Sequence, residues 1–112
     1  MIIHSYTTQL PGDATGGMKK FTQFESDRMF VDYYLLEPGG EQKPHTHAEN
    51  DKLYYVLEGE GIFLLGDEEH RLAAGSGCVA EAGVPHGVRN EADRRLVLLV
   101  SMAPHPGRKK RE

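Results

Sequence analysis

The sequence predicts an all-β domain, built as a sandwich or small barrel, and three observations lead to that fold class. Short apolar segments rich in branched and aromatic residues recur about every ten residues along the chain. Thirteen glycines and six prolines are spread between these segments, where they indicate turns. No segment shows helical spacing of apolar residues behind a capping residue. The length of 112 residues fits a single domain.

The first half of the predicted sheet structure consists of three strands. Residues 29–36 form a strand that ends at Pro38-Gly39-Gly40. Residues 52–58 and 62–65 form two more strands, separated by Gly59-Glu60-Gly61. Because a short glycine-containing loop between two apolar runs is typical of a hairpin, we expect these two strands to pair with each other.

The second half contains four further predicted strands. Residues 70–73 form a weak strand, and residues 78–82 and 86–89 form short ones between glycine and proline turns. Residues 96–100 are apolar at every position. A strand without polar alternation is typical of burial on both faces, so we expect a second layer to cover this part of the sheet.

The two ends of the chain are expected to lie outside the barrel, which occupies residues 29–102. Residues 1–28 are predicted to form an N-terminal arm and loop, in which Phe21 and Phe24 are candidates to anchor a short helical turn. Residues 103–112 end in Arg108-Lys109-Lys110-Arg111 after a proline-rich stretch. Such a run is typical of a flexible, solvated basic tail.

Composition excludes several classes of function. A formal net charge of −4 argues against a nucleic-acid-binding surface, which would be basic. There is no apolar run of the roughly 18 residues that a membrane span requires, and no signal-peptide pattern. The single cysteine, Cys78, cannot form an intramolecular disulfide and is interpreted as a small apolar strand residue. We therefore expect a cytoplasmic protein that binds neither nucleic acid nor membrane.

Three histidines are the candidate metal ligands. His45 and His47 are two residues apart in an extended segment, so their side chains point to the same side. His86 follows a predicted turn on a later strand of the same layered fold. If it converges on the pair, the three imidazoles form a facial set of nitrogen donors with open positions for a ligand. The spacing alone leaves this convergence open.

The sequence resembles the cupin superfamily, and within it a small single-domain cupin of type 2. In the first cupin motif, a glycine, a His-x-His pair and a second glycine fall at Gly39, His45, His47 and Gly59. In the second motif, the matching positions are Gly75, Gly83, His86 and Asn90, and Glu81 stands where proline is usual. The resemblance covers residues 29–102. It implies a double-stranded β-helix, a jelly-roll-like barrel, with a metal at His45, His47 and His86.

One position departs from the family pattern. Lys52 stands where the resemblance implies a carboxylate ligand, with Asp51 one residue earlier. Strand alternation places Lys52 and Tyr54 on the same face of the strand. Asp51 lies on the opposite face. If Lys52 keeps the family orientation, an ammonium group points into the barrel. At ~4 Å, such a cation would be repelled by a divalent ion by several kcal/mol at an intermediate dielectric.

Three arrangements remain open at this position. In the first, the histidines bind the metal alone, while Lys52 binds the anionic end of a ligand and Tyr54 offers it a hydroxyl. In the second, a β-bulge turns Asp51 inward as a carboxylate ligand. In the third, metal binding is lost and Lys52 pairs with Glu49 or Glu81, which leaves a pocket for an organic ligand.

The resemblance implies a function but not a reaction. The expected protein binds iron, manganese, nickel, copper or zinc and binds or transforms a small oxygenated organic molecule, as a dioxygenase, an isomerase or another Lewis-acid catalyst. The alternatives are a metal-free small-molecule-binding module and a dimerisation subunit of a larger biosynthetic complex. A homodimer is expected because short barrels expose strand edges. The small cupins with this lysine that the sequence resembles are bacterial.

Overall fold

The computed structural model describes residues 2–6 and 17–107, in which the chain forms nine β-strands. They are β1 (Met18–Glu25), β2 (Phe30–Leu36), β3 (Glu41–His45), β4 (Asp51–Glu58), β5 (Glu60–Leu65), β6 (Glu68–Ala73), β7 (Gly77–Ala80), β8 (His86–Arg89) and β9 (Leu96–Ala103). No helix in the described part of the chain is long and apolar enough to cross a membrane.

The strands form two antiparallel sheets, which confirms the predicted double-stranded β-helix. The five-stranded sheet has the order β1-β2-β9-β4-β7, and the four-stranded sheet has the order β3-β8-β5-β6. Inward side chains of both sheets pack into one core, and they include Phe30, Tyr34, Leu36, Tyr54, Val56, Phe63, Val88, Leu96, Leu98, Val100 and Met102.

Strand β9 lies between β2 and β4 at the centre of the larger sheet. On its inner face, Leu98 and Val100 belong to the main core, whereas Val97 on the outer face packs with Leu35 and Tyr6. The residues preceding β1 therefore supply part of the outer cover. The burial on both faces that its uninterrupted apolar sequence predicts is confirmed.

The predicted hairpin between β4 and β5 is wrong. Strand β4 pairs with β7 and β9, whereas β5 pairs with β6 and β8, so the chain passes from one sheet to the other at Gly59. Gly59 has a φ of 83°, and a Cβ there would lie 2.4 Å from the Arg95 carbonyl oxygen. Two apolar runs around a glycine look alike in sequence, whether the chain folds back within a sheet or crosses between sheets.

The predicted helical turn at Phe21 and Phe24 is also wrong. Both residues belong to β1, which pairs with β2 along its full length and has a register irregularity between Thr22 and Phe24. The backbone groups on the free edge of β2 favour pairing over a local helical turn. Residues 7–16 and the basic tail from Arg108 lie outside the described residues, and the division into arm, barrel and tail stays a prediction.

Candidate metal centre

The three motif histidines converge at one end of the barrel. His45 is the last residue of β3 and the cross-strand partner of His86, the first residue of β8. His47 lies in the loop after β3, where its carbonyl accepts a hydrogen bond from the Gly83 amide at 2.8 Å. One ring nitrogen from each histidine lies within 4.8 Å of the others. Three ring nitrogens at this separation could bind one metal ion together.

The local sequence of β3 explains how His45 and His86 come so close. Pro44 cannot donate to a sheet ladder, and it is tolerated because β3 is an edge strand whose register with β8 is interrupted between Gln42 and His45. On β8, a Cβ at Gly87 would lie 2.8 Å from the Gln42 carbonyl oxygen. The glycine thus permits the close approach of the two strands that carry the ligands.

Backbone hydrogen bonds set the tautomers of two of the rings. His45 Nδ1 lies 2.8 Å from the Lys43 carbonyl oxygen, and His86 Nδ1 lies 2.9 Å from that of Val84. Because a carbonyl only accepts, both Nδ1 atoms carry the proton and both Nε2 atoms keep a lone pair. The Nε2 of His86 is buried and has no hydrogen-bond partner among the described residues. A metal ion at the point of convergence would satisfy it, so the donor set fits a metal.

Burial also keeps these rings neutral. It lowers the pKa of His86 to about 4, against the opposing effect of the Val84 carbonyl, and nearby positive charge lowers it further. Burial likewise lowers the pKa of His45 and His47. Neutral imidazole is the form that binds metals. Protons therefore compete weakly for this site.

Lys52 points into the barrel, as strand alternation predicts. Its side chain is only 2% exposed and its Nζ donates a hydrogen bond to Gln42 Oε1 at 3.1 Å. The same Nζ lies 4.9 Å from the centroid of the Tyr54 ring and 5.4 Å from that of Tyr34. The ammonium group is thus held by a neutral amide and two aromatic rings, which stabilise a cation only in part.

Two of the alternatives for this position are wrong in their geometry. Asp51 is exposed, and its Oδ1 accepts a hydrogen bond from the Ala82 amide at 2.9 Å, so no bulge turns it inward. Lys52 makes its contacts with Gln42 and the rings, and the carboxyl that acts on its pKa is Asp32 rather than Glu49 or Glu81. The structure has the inward lysine and the three converging histidines of the first arrangement, whose metal and ligand binding stay predictions.

The environment of Lys52 favours loss of its proton. Burial lowers its pKa to about 7, and the charge of Lys20 lowers it further, while Asp32 acts in the opposite direction. Asp32 is itself 7% exposed, has no hydrogen-bond partner at Oδ1 among the described residues, and has its pKa raised mainly by burial. Asp32 is thus the buried carboxyl of the described residues that acts against the lowering of the Lys52 pKa.

Tyr54 lies on the inner face of β4, two residues from Lys52, and is fully buried. Its hydroxyl donates to Gln42 Oε1 at 2.6 Å, and its ring centroid lies 6.0 Å from that of His86. Because the Tyr54 hydroxyl already donates its proton to Gln42, it could only accept a hydrogen bond from a ligand. The Tyr54 ring would offer the ligand an apolar surface. Direct ligand binding by Tyr54 stays a prediction.

His45, His47 and Lys52 line one cavity of about 460 Å³. Its lining residues include Lys20, Phe30, Tyr34, Gln42, Lys43, His45, His47, Lys52, Met102 and Pro106. The sequence interpretation missed Lys20, Asp32 and Gln42. Asp32 had a signal, since it is a lone charge within an otherwise apolar strand, whereas Lys20 and Gln42 lie on strands that the sequence did not predict.

Among curated proteins, the chain is 31% identical over 64 residues to an oxalate-binding protein of Thermotoga maritima, and 29% identical over 84 residues to an H2HPP isomerase of Bacillus subtilis. These alignments cover 57% and 74% of this chain. The chain spans 53% of the length of the first relative and 35% of the second.

The match to solved structures and to a family model is more extensive. The crystal structure of TT1209 from Thermus thermophilus has a TM-score of 0.86 and 44% sequence identity, and the match covers 93% of this chain and 98% of that one. The family model for the Cupin domain matches residues 32–102, which include all three histidines and Lys52. With both motifs and the double-stranded β-helix in place, the chain belongs to the cupin family.

Proposed function

We propose that this cupin binds a divalent transition metal through His45, His47 and His86 and uses it to bind or transform a small oxygenated organic molecule. The observation that supports this most directly is the buried Nε2 of His86, which lacks a partner where the three rings converge. Leaving such a nitrogen unpaired costs about 1–3 kcal/mol. The curated relatives include an oxalate-binding protein and an isomerase, which is consistent with a small-molecule ligand.

When bound, the metal would act as a Lewis acid on an oxygen of the ligand or, if it is iron, activate dioxygen. The chain supplies the rest of the chemistry. Gln42 holds Lys52 Nζ in the cavity that His45 and His47 line, where it can orient a carboxylate or an enolate. With a pKa of about 7, Lys52 is able to give or accept a proton at Nζ near neutral pH. Phe30 and Met102 provide an apolar wall that limits water.

A metal-free binding module is the second candidate, and Lys52 itself favours it. A buried ammonium group in the cavity that His45 and His47 line would repel a divalent ion, and neutral imidazoles bring no negative charge to offset that repulsion. In this case the same cavity would bind an organic anion with Lys52 as its counter-charge.

The working context is also a proposal. We propose a homodimer in the bacterial cytoplasm, with a small molecule as its other partner and no binding of nucleic acid or membrane. The net charge of −4 and the single cysteine support this assignment. The exposed apolar side chains of Ile2 and Ile3, beside the larger sheet, support the dimer.

Metal content tests the first candidate. Protein purified without chelator from cells supplied with iron, manganese, nickel, copper and zinc should contain close to one equivalent of one of these metals by elemental analysis. His86→Ala should lose the metal because it removes the most buried donor. His70→Ala is the matched control, since His70 lies half-exposed on β6 beside Glu68 and should leave the metal content unchanged.

A wild-type protein that contains no metal after this treatment would favour the metal-free binding module. Lys52→Glu then gives a second comparison, because it replaces the repelling cation with a carboxylate on the inner face. If Lys52 faces the metal, this variant should bind zinc more tightly than wild type in a calorimetric titration. Unchanged zinc affinity would contradict the proposed proximity of Lys52 to the metal.

A further inference from the structure

Two lysines from different strands of the larger sheet reach the same aromatic ring inside the barrel. Lys20 Nζ on β1 lies 5.2 Å from the centroid of the Tyr34 ring, and Lys52 Nζ on β4 lies 5.4 Å from it. Lys20 is the direct cross-strand partner of Tyr34 on β2, whereas β9 lies between β2 and the strand that carries Lys52. Both lysines line the 460 Å³ cavity.

Positive side chains are concentrated around this cavity. Lys20, Lys43 and Lys52 all line it, whereas no Asp or Glu of the described residues does. A divalent metal at the histidines would add two further positive charges. Like charges in a partly desolvated cavity repel strongly, so an anionic ligand would relieve the repulsion.

We infer that Lys20 and Lys52 form an anion-binding subsite, and that the ligand of this protein is a small dicarboxylate. One carboxylate would lie at His45, His47 and His86, and the other between the two ammonium groups. The first half of this inference rests on the proposed metal centre, whereas the lysine subsite depends only on the contacts around Tyr34.

The lining of the cavity supports two separate carboxylate positions. His45 and His47 line the same cavity as Lys20 and Lys52, so one ligand can contact both groups of side chains. Phe30 and Met102 offer apolar surface for a short carbon chain. A ligand with one carboxylate would leave one cationic end of the cavity without a counter-charge.

Calorimetric titration with succinate and succinamate tests the inference, because these ligands differ by one carboxylate. Zinc-loaded wild-type protein should prefer succinate by roughly tenfold, the effect of one charge-assisted hydrogen bond. Lys20→Met should reduce this preference to less than about twofold. Lys19→Met is the matched control, since the Lys19 Nζ lies 5.9 Å from the Phe21 ring, away from the cavity, and it should keep the wild-type preference.

Equal affinity of the wild type for both ligands, or an unchanged preference in Lys20→Met, would overturn the inference. Lys20 is exposed on β1, so its replacement should leave the fold intact, which circular dichroism checks. The metal content of the same samples separates the two proposals. A protein that holds zinc but shows no preference contradicts the dicarboxylate alone. A protein that holds no zinc contradicts the metal centre, and weaker succinate binding in Lys20→Met would still support the lysine subsite.

Discussion

At the scale of single residues, Lys52 stands where the resemblance to cupins implies a carboxylate ligand, and burial accounts for its chemistry. An ammonium group that is 2% exposed, with a neutral amide as its hydrogen-bond partner, loses hydration that it does not regain. Removal from water therefore lowers the pKa of Lys52 to about 7. The residue is positioned to alternate between a cation that binds an anion and an amine that accepts a proton.

This pKa predicts a specific dependence of stability on pH. Between about pH 7 and 10.5, the unfolded chain holds a proton on Lys52 that the folded protein has lost, so the free energy of unfolding should rise with pH in that window. From pH 7 to 8.5 the gain should be on the order of 1–2 kcal/mol. In Lys52→Met this contribution should be absent. Urea unfolding of metal-free protein at both pH values measures it, and equal pH dependence of the two proteins would contradict the lowered pKa.

At the scale of elements, β3 and β8 bring the histidines together, and β4 brings Lys52 to the same cavity. Strand β4 lies in the five-stranded sheet, and β5, the next strand along the chain, lies in the four-stranded sheet. The connection between these two strands therefore links the two sheets. This connection depends on Gly59. Its positive φ disfavours other residues, and a Cβ at this position would clash with the Arg95 carbonyl.

Two glycines allow this dependence to be measured. Gly59→Ala should lower the free energy of unfolding by about 2–4 kcal/mol, because it adds a backbone clash to the cost of a left-handed conformation. Gly66→Ala, in the β5–β6 hairpin, should cost only about 1 kcal/mol, because Gly66 has a φ of 64° but its Cβ would have open space. Denaturant unfolding compares the two. Equal losses would show that the close approach at Gly59 contributes nothing.

At the scale of the whole molecule, the outer face of the five-stranded sheet is covered in part by residues 2–6. Tyr6 packs edge-on against Tyr33 with a centroid distance of 5.8 Å, and its hydroxyl donates to Glu58 Oε2 at 2.6 Å. Ile2 and Ile3 beside it are 62% and 78% exposed. A second cavity of about 570 Å³ lies there, lined by Ile2, His4, Gln23, Phe24, Val31, Tyr33 and Leu99. A second copy of the chain would bury this apolar surface.

The dimer is tested by mass. Light scattering at micromolar concentration should give twice the 12.5 kDa of one chain. Ile3→Asp should shift the protein to a single-chain mass, because it places a charge on the proposed interface. Ala74→Asp is the control, since it adds the same charge at an exposed turn residue after β6 and should keep the dimer mass. A single-chain mass for the wild type would contradict the dimer.

Local periodicity and motif spacing in the sequence determine most of the strands, the three histidines and the inward direction of Lys52. Alternation along a strand is a property of neighbouring residues, and β4 follows it, with Lys52, Tyr54 and Val56 all buried. The cupin spacing of His45, His47 and His86 predicted the convergence that the structure shows. These features need no knowledge of which strands pair.

Only the tertiary structure decided which strands pair and what surrounds Lys52. The passage at Gly59 between sheets and the strand around Phe21 depend on free edges and on backbone contacts with distant residues, for which the local pattern holds no signal. Likewise, Lys20, Asp32 and Gln42 influence Lys52 only because the sheets bring their strands into contact with one cavity. The charge of the site comes from residues that are far apart in the chain. Only folding brings these residues close enough to interact electrostatically.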